Sequence, residues 1–538
     1  MTAGPQLKPY RQFAYARSAD QDARVSTRHR VIIVGAGPIG LALAIDLAQR
    51  GVSSVVLDDS DRIGDGSRAI CFSKKTLEIF DRLGVAMPAL AKGVQWQVGK
   101  VFRGDELLYR FDLLPERGHK MPAFINLQQY YAEDYLIERA QRCGGVELRW
   151  RNKVVGVAQD GAGVTVSIDT PDGPYRLSAD WLIACDGARS PVRGMLGLDF
   201  RGEMFEDQFL IADVKMTAAF PTERWFWFDP PFHPGQSALL HKQPDDVWRI
   251  DLQLPRDADT EHERQPHIVR PRIERMLGHG DFELEWVSIY RFQCRRLDRF
   301  VHDRVIFAGD SAHQVSPFGA RGANSGIQDA ENLAWKLARV IAGSSPRALL
   351  DTYDVERLAA ADENIGHSTR STDFIAPHGP AEKTLRDAAL DLARSTEFAK
   401  RMVNPGRLST ATAYRDSPLS TPDAEMWAAG PPPGAPIIDA PLQDRSGRDG
   451  FLSEALGNDF TLLHGADVAL PPRDGITTIG VGASGGHRDA EGLIASRYDL
   501  TPGAAYLIRP DGHVAARFRT VATGRLDAAL ARATGLLT

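Results

Sequence analysis

The sequence predicts an α/β protein: a Rossmann-like domain interrupted by a mostly antiparallel β-sheet domain and followed by a smaller α/β domain. Three observations predict it. First, the apolar run at residues 31–34 leads into Gly35-Ala36-Gly37-Pro38-Ile39-Gly40, a helical pattern over 41–50 and a second apolar strand over 54–57, the order of a βαβ unit. Second, residues 200–296 change to period-two alternation, as in Arg224-Trp225-Phe226-Trp227-Phe228 and Val247-Trp248-Arg249-Ile250-Asp251-Leu252, the pattern of an antiparallel sheet with one buried face. Third, α/β character returns at Val305-Ile306-Phe307-Ala308-Gly309-Asp310 and runs into a long helical pattern through Leu337.

Taken in order, residues 1–28 are a polar extension, expected to be a loosely packed arm. The Rossmann-like domain takes 29–199 and 297–375, including a helix over 128–142 and the strand Val164-Thr165-Val166-Ser167-Ile168. The sheet domain takes 200–296. A helical linker is expected over 376–430, closed by Gly430-Pro431-Pro432-Pro433-Gly434. Residues 431–538 carry strand-like pieces at Phe460-Thr461-Leu462-Leu463 and Ala505-Tyr506-Leu507-Ile508 and have the size of one small domain.

The composition narrows the function. Among 538 residues, 43% are hydrophobic and 25% charged, the mix of a soluble globular protein. Lys plus Arg number 64 against 70 Asp plus Glu, a net charge of −6, which argues against a general nucleic-acid or polyanion binder. Cys71, Cys143, Cys185 and Cys294 form no CxxC and no metal-ligand spacing, so no metal site is expected and reduced thiols suit a cytoplasmic protein. The N-terminus lacks the apolar core of a secretory signal, and the longest apolar stretch is broken by Gly35, Gly37, Pro38, Gly40 and Asp46. No membrane span is expected.

The glycines of the first turn have separate tasks: Gly35 for the tight turn, Gly37 for close backbone approach to a pyrophosphate, and Gly40 for helix-to-strand packing. Pro38 belongs to the same turn, and the helix start beyond it favours phosphate charge. Asp58 ends the second strand at the distance expected of a carboxylate that accepts ribose hydroxyls, and its neighbour Asp59 is an alternative. A dinucleotide is therefore expected here. No second fingerprint of this kind follows in a strand–helix context.

Two more glycine-rich strings lie downstream: Cys185-Asp186-Gly187-Ala188-Arg189-Ser190-Pro191 and Ala308-Gly309-Asp310-Ser311-Ala312-His313, the latter running on through Pro317-Phe318-Gly319-Ala320-Arg321-Gly322-Ala323-Asn324. In this order, the fingerprint and these two strings resemble the single-component FAD-dependent aromatic hydroxylases, the class A flavoprotein monooxygenases. Residues 431–538 resemble the thioredoxin-like C-terminal domain of the phenol and 3-(3-hydroxyphenyl)propionate hydroxylase branch; without a CxxC its role is structural. The resemblance implies tightly but non-covalently bound FAD, NADH or NADPH as a transient reductant, O2, a small aromatic substrate and a homodimer. It implies hydroxylation of a phenolic or related ring through a flavin C4a-hydroperoxide. The alternatives are an FAD-dependent reductase or halogenase on the same scaffold, or a non-catalytic flavin-binding protein. The Trp225-Phe226-Trp227-Phe228-Asp229-Pro230 string has the tryptophan spacing of the halogenase WxWxIP motif but not its ending.

The same resemblance implies residue roles. Asp310 contacts ribityl or ribose hydroxyls, Asp186 lies between flavin and nicotinamide binding with Arg189 beside it, and Arg68 lies near the FAD and influences its movement. Gln129 contacts the flavin's sugar chain, with Gln128 the competing choice. His313 belongs to the motif's framework. Pro317 and the backbone of Gly322, Ala323 and Asn324 lie over the flavin, where a helix start would face its anionic edge. Arg321 departs from the family's pattern: it binds an acidic substrate or NAD(P)H, or it is a solvent-exposed arginine. In the sheet domain, Trp225 and Trp227 wall the substrate pocket or belong to the sheet core. Arg249 binds a substrate carboxylate or pairs with Asp251. His241 and Tyr290 are the candidate base or acceptor for a phenol, against a purely structural role.

Overall fold

The structure is a computed structural model; it describes residues 11–22, 27–64, 68–403, 410–466, 468, 471–482 and 486–537. Strand β1 (Arg28–Val34) passes through the glycine turn into α1 (Pro38–Gln49) and returns as β2 (Ser54–Leu57). The two strands pair in parallel, Val31 with Ser54 and Val34 with Leu57. They are buried from Val31 onward, as expected of a parallel sheet covered on both faces. A hairpin follows, β3 (Val98–Arg103) and β4 (Glu106–Asp112), then α2 (Gln129–Arg142), β5 (Val146–Arg149) and β6 (Tyr175–Ala184).

The inserted sheet comprises β7 (Arg201–Lys215), β8 (Arg224–Phe228), β9 (Ser237–Lys242), β10 (Val247–Leu254) and, after helix α3 (Pro266–Leu277), β11 (Glu283–Arg296). Its order is β11-β7-β10-β9-β8-β3-β4, with the short strand His313–Gln314 on the outer edge. The hairpin from residues 98–112 thus completes the sheet domain, although it lies within the segment expected to be wholly Rossmann-like. Its join is a parallel pairing of β3 with β8, Arg224 opposite Gly99. Neither strand's local pattern encodes so long-range a pairing. One face of this sheet buries Leu210, Trp227, Leu240, Trp248 and Ile250 against Val269 and Ile273 of α3. The other face turns toward the Rossmann domain.

Strand β12 (Val305–Phe307) re-enters the first sheet, whose core runs β12-β6-β1-β2-β5 with these neighbours parallel; antiparallel strands at Val301–His302 and Gly163–Asp169 flank β12 and β6. Helices α4 (Gly322–Ile341) and α5 (Asp351–Ile375) follow. The expected helical linker is helical only in its first half, at Pro380–Ala393 and Glu397–Val403; its described remainder has no helix. The C-terminal domain has β13 (Phe460–His464), β14 (Ile476–Val481), β15 (Ala505–Ile508), β16 (Val514–Phe518) and α6 (Thr523–Ala533). The core order is β14-β13-β15-β16, with the first pair parallel and the other two antiparallel, a thioredoxin-like arrangement. No helix of the described residues is long and apolar enough to cross a membrane.

Part of the N-terminal extension is not the loose arm expected. Phe13 stacks on Trp150 with ring centres 4.3 Å apart and planes 9° from parallel. Its N–H donates to the Asp61 carbonyl at 2.7 Å, and Asp20 pairs with the buried Arg149. An aromatic pair and a buried ion pair together outweigh the entropy of a free arm. Residues 1–10 of the extension lie outside the described residues.

Buried charge fastens the C-terminal domain to α4 and α5. Arg509 donates to both carboxylate oxygens of Glu356 and to Asp511. Lys336 Nζ donates to Glu356 Oε2 at 2.6 Å, and Trp335 Nε1 to Asp511 Oδ2 at 3.0 Å. All five side chains are buried. Removing one partner of such a cluster leaves buried charge uncompensated, so Arg509→Met is expected to cost about 3–5 kcal/mol. The change is read as a lower Tm in thermal unfolding; an unchanged Tm would show that the cluster does not hold the domains together.

Candidate functional site

A cavity of ≈ 1120 Å³ runs from the glycine turn after β1, past the turns at Asp186 and Asp310, to the inward face of the inserted sheet. At its first end the three fingerprint glycines separate cleanly. Gly35 has φ +105°, and a Cβ there would sit 2.4 Å from the Cys185 carbonyl oxygen. A Cβ on Gly40 would sit 2.0 Å from the Gly35 carbonyl oxygen. The fold itself requires these two glycines. A Cβ on Gly37 would meet nothing within 4 Å, so only a group that comes to lie against this backbone explains it. Gly37 is also the N-cap of α1 and supplies no side chain, and the first helical bond is Leu41 N–H to Gly37 O at 3.0 Å. The N–H groups of Ile39 and Gly40 therefore have no acceptor within the helix. A helix start left open in this way favours a phosphate.

Asp58 lines the cavity and braces the turn: Oδ2 accepts the Ala36 N–H at 2.7 Å and Oδ1 the Ser60 N–H at 2.9 Å. Burial raises its carboxyl above the usual range, against these two donors. Asp59 is exposed at the same wall. Gln129, not Gln128, reaches the cavity. Its Oε1 accepts the Ala69 N–H at 3.0 Å and its Nε2 donates to Glu133 Oε1 at 2.7 Å. Gln128 is buried and points to the Pro244 carbonyl. Glu133, which the sequence reading did not single out, lines the cavity too, and burial pushes its carboxyl up to about 7. Arg68 is exposed on the cavity wall.

Asp186 accepts the Val192 N–H at 3.0 Å through Oδ2, while Oδ1 is buried with no hydrogen-bond partner. Asp310 opens onto the cavity from the turn after β12. Beneath it, Asp329 of α4 accepts the Gly309 N–H at 2.9 Å and lies 2.7 Å from His313 Nε2. His313 is thereby held as framework, away from the cavity.

At α4 the cap residue is Arg321, which provides no side-chain cap, and the first helical bond is Ser325 N–H to Arg321 O at 2.8 Å. The N–H groups of Gly322, Ala323 and Asn324 therefore lack helical acceptors, and all three residues line the cavity together with Pro317. The Asn324 side chain is fully engaged elsewhere: Oδ1 accepts from the Ser73 N–H (2.9 Å) and Thr76 Oγ1 (2.6 Å), and Nδ2 donates to the Cys71 carbonyl (2.8 Å). Arg321 is not solvent-exposed. It is buried, and its Nη1 donates to Asn364 Oδ1 of α5 at 2.9 Å.

On the inserted sheet, period two decides what faces the cavity. Trp225 and Trp227 fall on the face packed against α3; neither lines the cavity, so the structure removes them from the substrate wall. Their neighbour Arg224 points the other way and does line it. Arg249 lines the cavity, but its charge is already paired: Nε donates to Asp213 Oδ1 at 2.8 Å and Nη2 to Asp213 Oδ2 at 2.9 Å. Asp213 stands directly opposite it on β7, so the partner is across the sheet and not the expected Asp251. Asp251 shares the cavity face, and burial pushes its carboxyl up to about 6. His241 stands opposite Arg249, lines the cavity, and has a buried Nδ1 with no partner. Burial, with Arg224 and Arg249 alongside, holds the imidazole neutral, well below the usual histidine range. Tyr290 lines the cavity opposite Phe209. The sequence pattern gave no sign of Arg224 or Asp251 as site residues beyond their place in alternating strands.

The open approach at Gly37, the orphaned Asp186 Oδ1 and the two uncapped helix starts form a donor and acceptor set that fits a long anionic dinucleotide such as FAD.

Comparison with known proteins agrees with this geometry. A family model described as an FAD binding domain matches residues 28–368. The 6-methylpretetramide 4-monooxygenase of Streptomyces rimosus is 31% identical, covering 93% of this chain and 93% of its own. A 3-(3-hydroxy-phenyl)propionate/3-hydroxycinnamic acid hydroxylase of Mycolicibacterium smegmatis is 28% identical over 80% of this chain and 76% of its own. The solved structure of anhydrotetracycline hydroxylase from Streptomyces rimosus superposes with a TM-score of 0.72 at 26% identity, covering 95% of this chain and 99% of that one.

The glycine geometry yields a paired test. Gly37→Ala is expected to leave the Tm of apoprotein within about 0.5 kcal/mol of wild-type stability while lowering FAD affinity at least tenfold, read by flavin fluorescence titration. Gly35→Ala is expected to lower the apoprotein Tm itself. Equal FAD affinity in Gly37→Ala and wild type would remove the cradle from Gly37.

Proposed function

This chain belongs to the FAD-binding-domain family and is a flavin-dependent monooxygenase, and from that premise we propose that it uses NADH or NADPH to hydroxylate a phenolic or related aromatic compound. The observation that carries this reading is the continuity of one cavity from the dinucleotide cradle to the polar face of the inserted sheet. Relatives named for 3-(3-hydroxy-phenyl)propionate and for 6-methylpretetramide support an aromatic substrate.

In this reading the turn at residues 35–40 and the start of α1 hold the pyrophosphate, and Asp58 takes a ribose hydroxyl. Gln129 and Asp310 take the sugar chain, and the N–H groups of residues 322–324 face the pyrimidine edge. When bound and reduced, FAD supplies the O2-activating chemistry that delivers one oxygen atom to the ring. The chain's own residues orient and exclude water. Phe318 packs edge-on against Phe209 and Phe292, with ring centres 4.8 and 5.4 Å away, closing an apolar wall beside the loop. His241, being neutral, accepts a hydrogen bond from the substrate hydroxyl at Nδ1, and Tyr290 fixes the ring's position from the neighbouring part of the sheet.

Holoenzyme supplied with NAD(P)H, a phenol and ¹⁸O2 is expected to release product heavier by one ¹⁸O atom; label absent from every product would sink the hydroxylase reading. His241 is not expected to titrate in the working range, so the pH profile of kcat should show no limb near the ordinary histidine value. A limb there that vanishes in His241→Asn would contradict the neutral-acceptor role.

A further inference from the structure

We propose that Arg224 anchors an anionic oxygen of the substrate, which makes the natural substrate an acidic hydroxyarene bearing a carboxylate or an ionised enol beside the oxidised ring. This rests on the aromatic hydroxylase reading above and narrows it.

A guanidinium withdrawn from water needs a partner of opposite charge. The arginines of the cavity wall differ sharply in how that need is met. Arg68, Arg189 and Arg291 are exposed and solvated. Arg249 is paired with the Asp213 carboxylate, and Arg321 donates to the neutral amide oxygen of Asn364. Arg224 is half-buried, and among the described residues it makes no hydrogen bond and no ion pair within 4.0 Å. Asp251 is the carboxylate whose field reaches it, but the two are not in contact.

The neighbours of Arg224 define the rest of the ligand. Asp251 Oδ1 and His241 Nδ1 are buried acceptors without partners on the same sheet face. A ring with an anionic oxygen next to a hydroxyl satisfies Arg224 and one of the two acceptors: the oxygen accepts from Arg224, and the hydroxyl donates to Asp251 or His241. Arg224 also stands where the large cavity meets a second pocket of ≈ 100 Å³, lined by Tyr109, Phe111, Phe226, Phe228 and Phe374. That pocket takes an apolar part of the same molecule, past the anchored oxygen. The carboxylate role expected of Arg249 thus passes to Arg224, two strands away on the same face.

The test titrates FAD-loaded holoenzyme with two matched pairs, following the flavin absorbance: 3-(3-hydroxyphenyl)propionate against 3-propylphenol, and 2-hydroxy-1,4-naphthoquinone against 1,4-naphthoquinone. The first pair isolates a carboxylate and the second an ionised enol. Wild type is expected to bind the anionic member of at least one pair about tenfold or more tightly, the equivalent of about 1.4 kcal/mol. R224Q is expected to bring that ratio to about one with affinity for the neutral member retained, and R224K to keep part of it. FAD content serves as the check on folding. Equal binding of both members of both pairs by wild type overturns the proposal, as does an undiminished preference in R224Q. A flavin that responds to none of the four compounds would instead overturn the hydroxylase reading on which the proposal stands.

Discussion

The structure depends most on one buried carboxylate, Asp329. It lies on α4 and accepts from the Gly309 backbone, from His313 Nε2 at 2.7 Å and from Arg357 Nε at 2.6 Å. Burial works against its charge, but His313 and Arg357 beside it hold the carboxyl below the usual range. The turn that presents Asp310, the helix that presents the 322–324 N–H groups, and α5 are thus fixed to a single point. Arg357 extends the link by donating to Tyr414, whose ring stacks on His513 at 4.3 Å. His513 follows Asp511, itself part of the Arg509–Glu356 cluster. The C-terminal domain has no redox cysteines, yet it closes the far side of the network that sets the cofactor turn. Buried ion networks of this kind contribute geometry more than net stability, and geometry is what a long cofactor spanning three distant chain segments requires.

Much of this was legible in the sequence, and the reason is locality. Gly35, Gly37 and Gly40 act within one strand–turn–helix, so their spacing carries their roles. The 322–324 segment was placed by its resemblance to the family's loop, with a helix beginning near Asn324, and α4 begins at Gly322. What stayed hidden depends on partners far along the chain. Arg249 was read against Asp251, two residues away, but its partner Asp213 lies across the sheet on β7. Arg321 was weighed as a solvent-facing or ligand-facing charge, and Asn364 of α5 claims it. The hairpin at 98–112 joins β8 by parallel pairing, and neither strand shows it.

Alternation posed a subtler problem. Residues 224–228 announce a strand, and period two assigns its side chains to two faces, but the sequence does not say which face meets the cavity. The tryptophans drew attention because large aromatics so often wall binding sites. In the fold they fill the contact with α3 beside Val269 and Ile273. The residue that matters more for chemistry is the charged one at the strand's start.

That inversion follows from how the two ends of the cavity are built. At the cofactor end, the groups left open are backbone N–H donors at helix starts and a few carboxylates, a set suited to phosphates and sugar hydroxyls. At the sheet end, the groups left open among the described residues include the Arg224 guanidinium, Asp251 Oδ1 and His241 Nδ1. A protein rarely withdraws such groups from water without a partner, and the Asp213–Arg249 pair shows that this sheet can supply a carboxylate where one is needed. Among the described residues Arg224 has none in contact. The asymmetry between two arginines on one face, one matched and one not, is therefore a statement about the ligand: the missing negative charge arrives with the substrate.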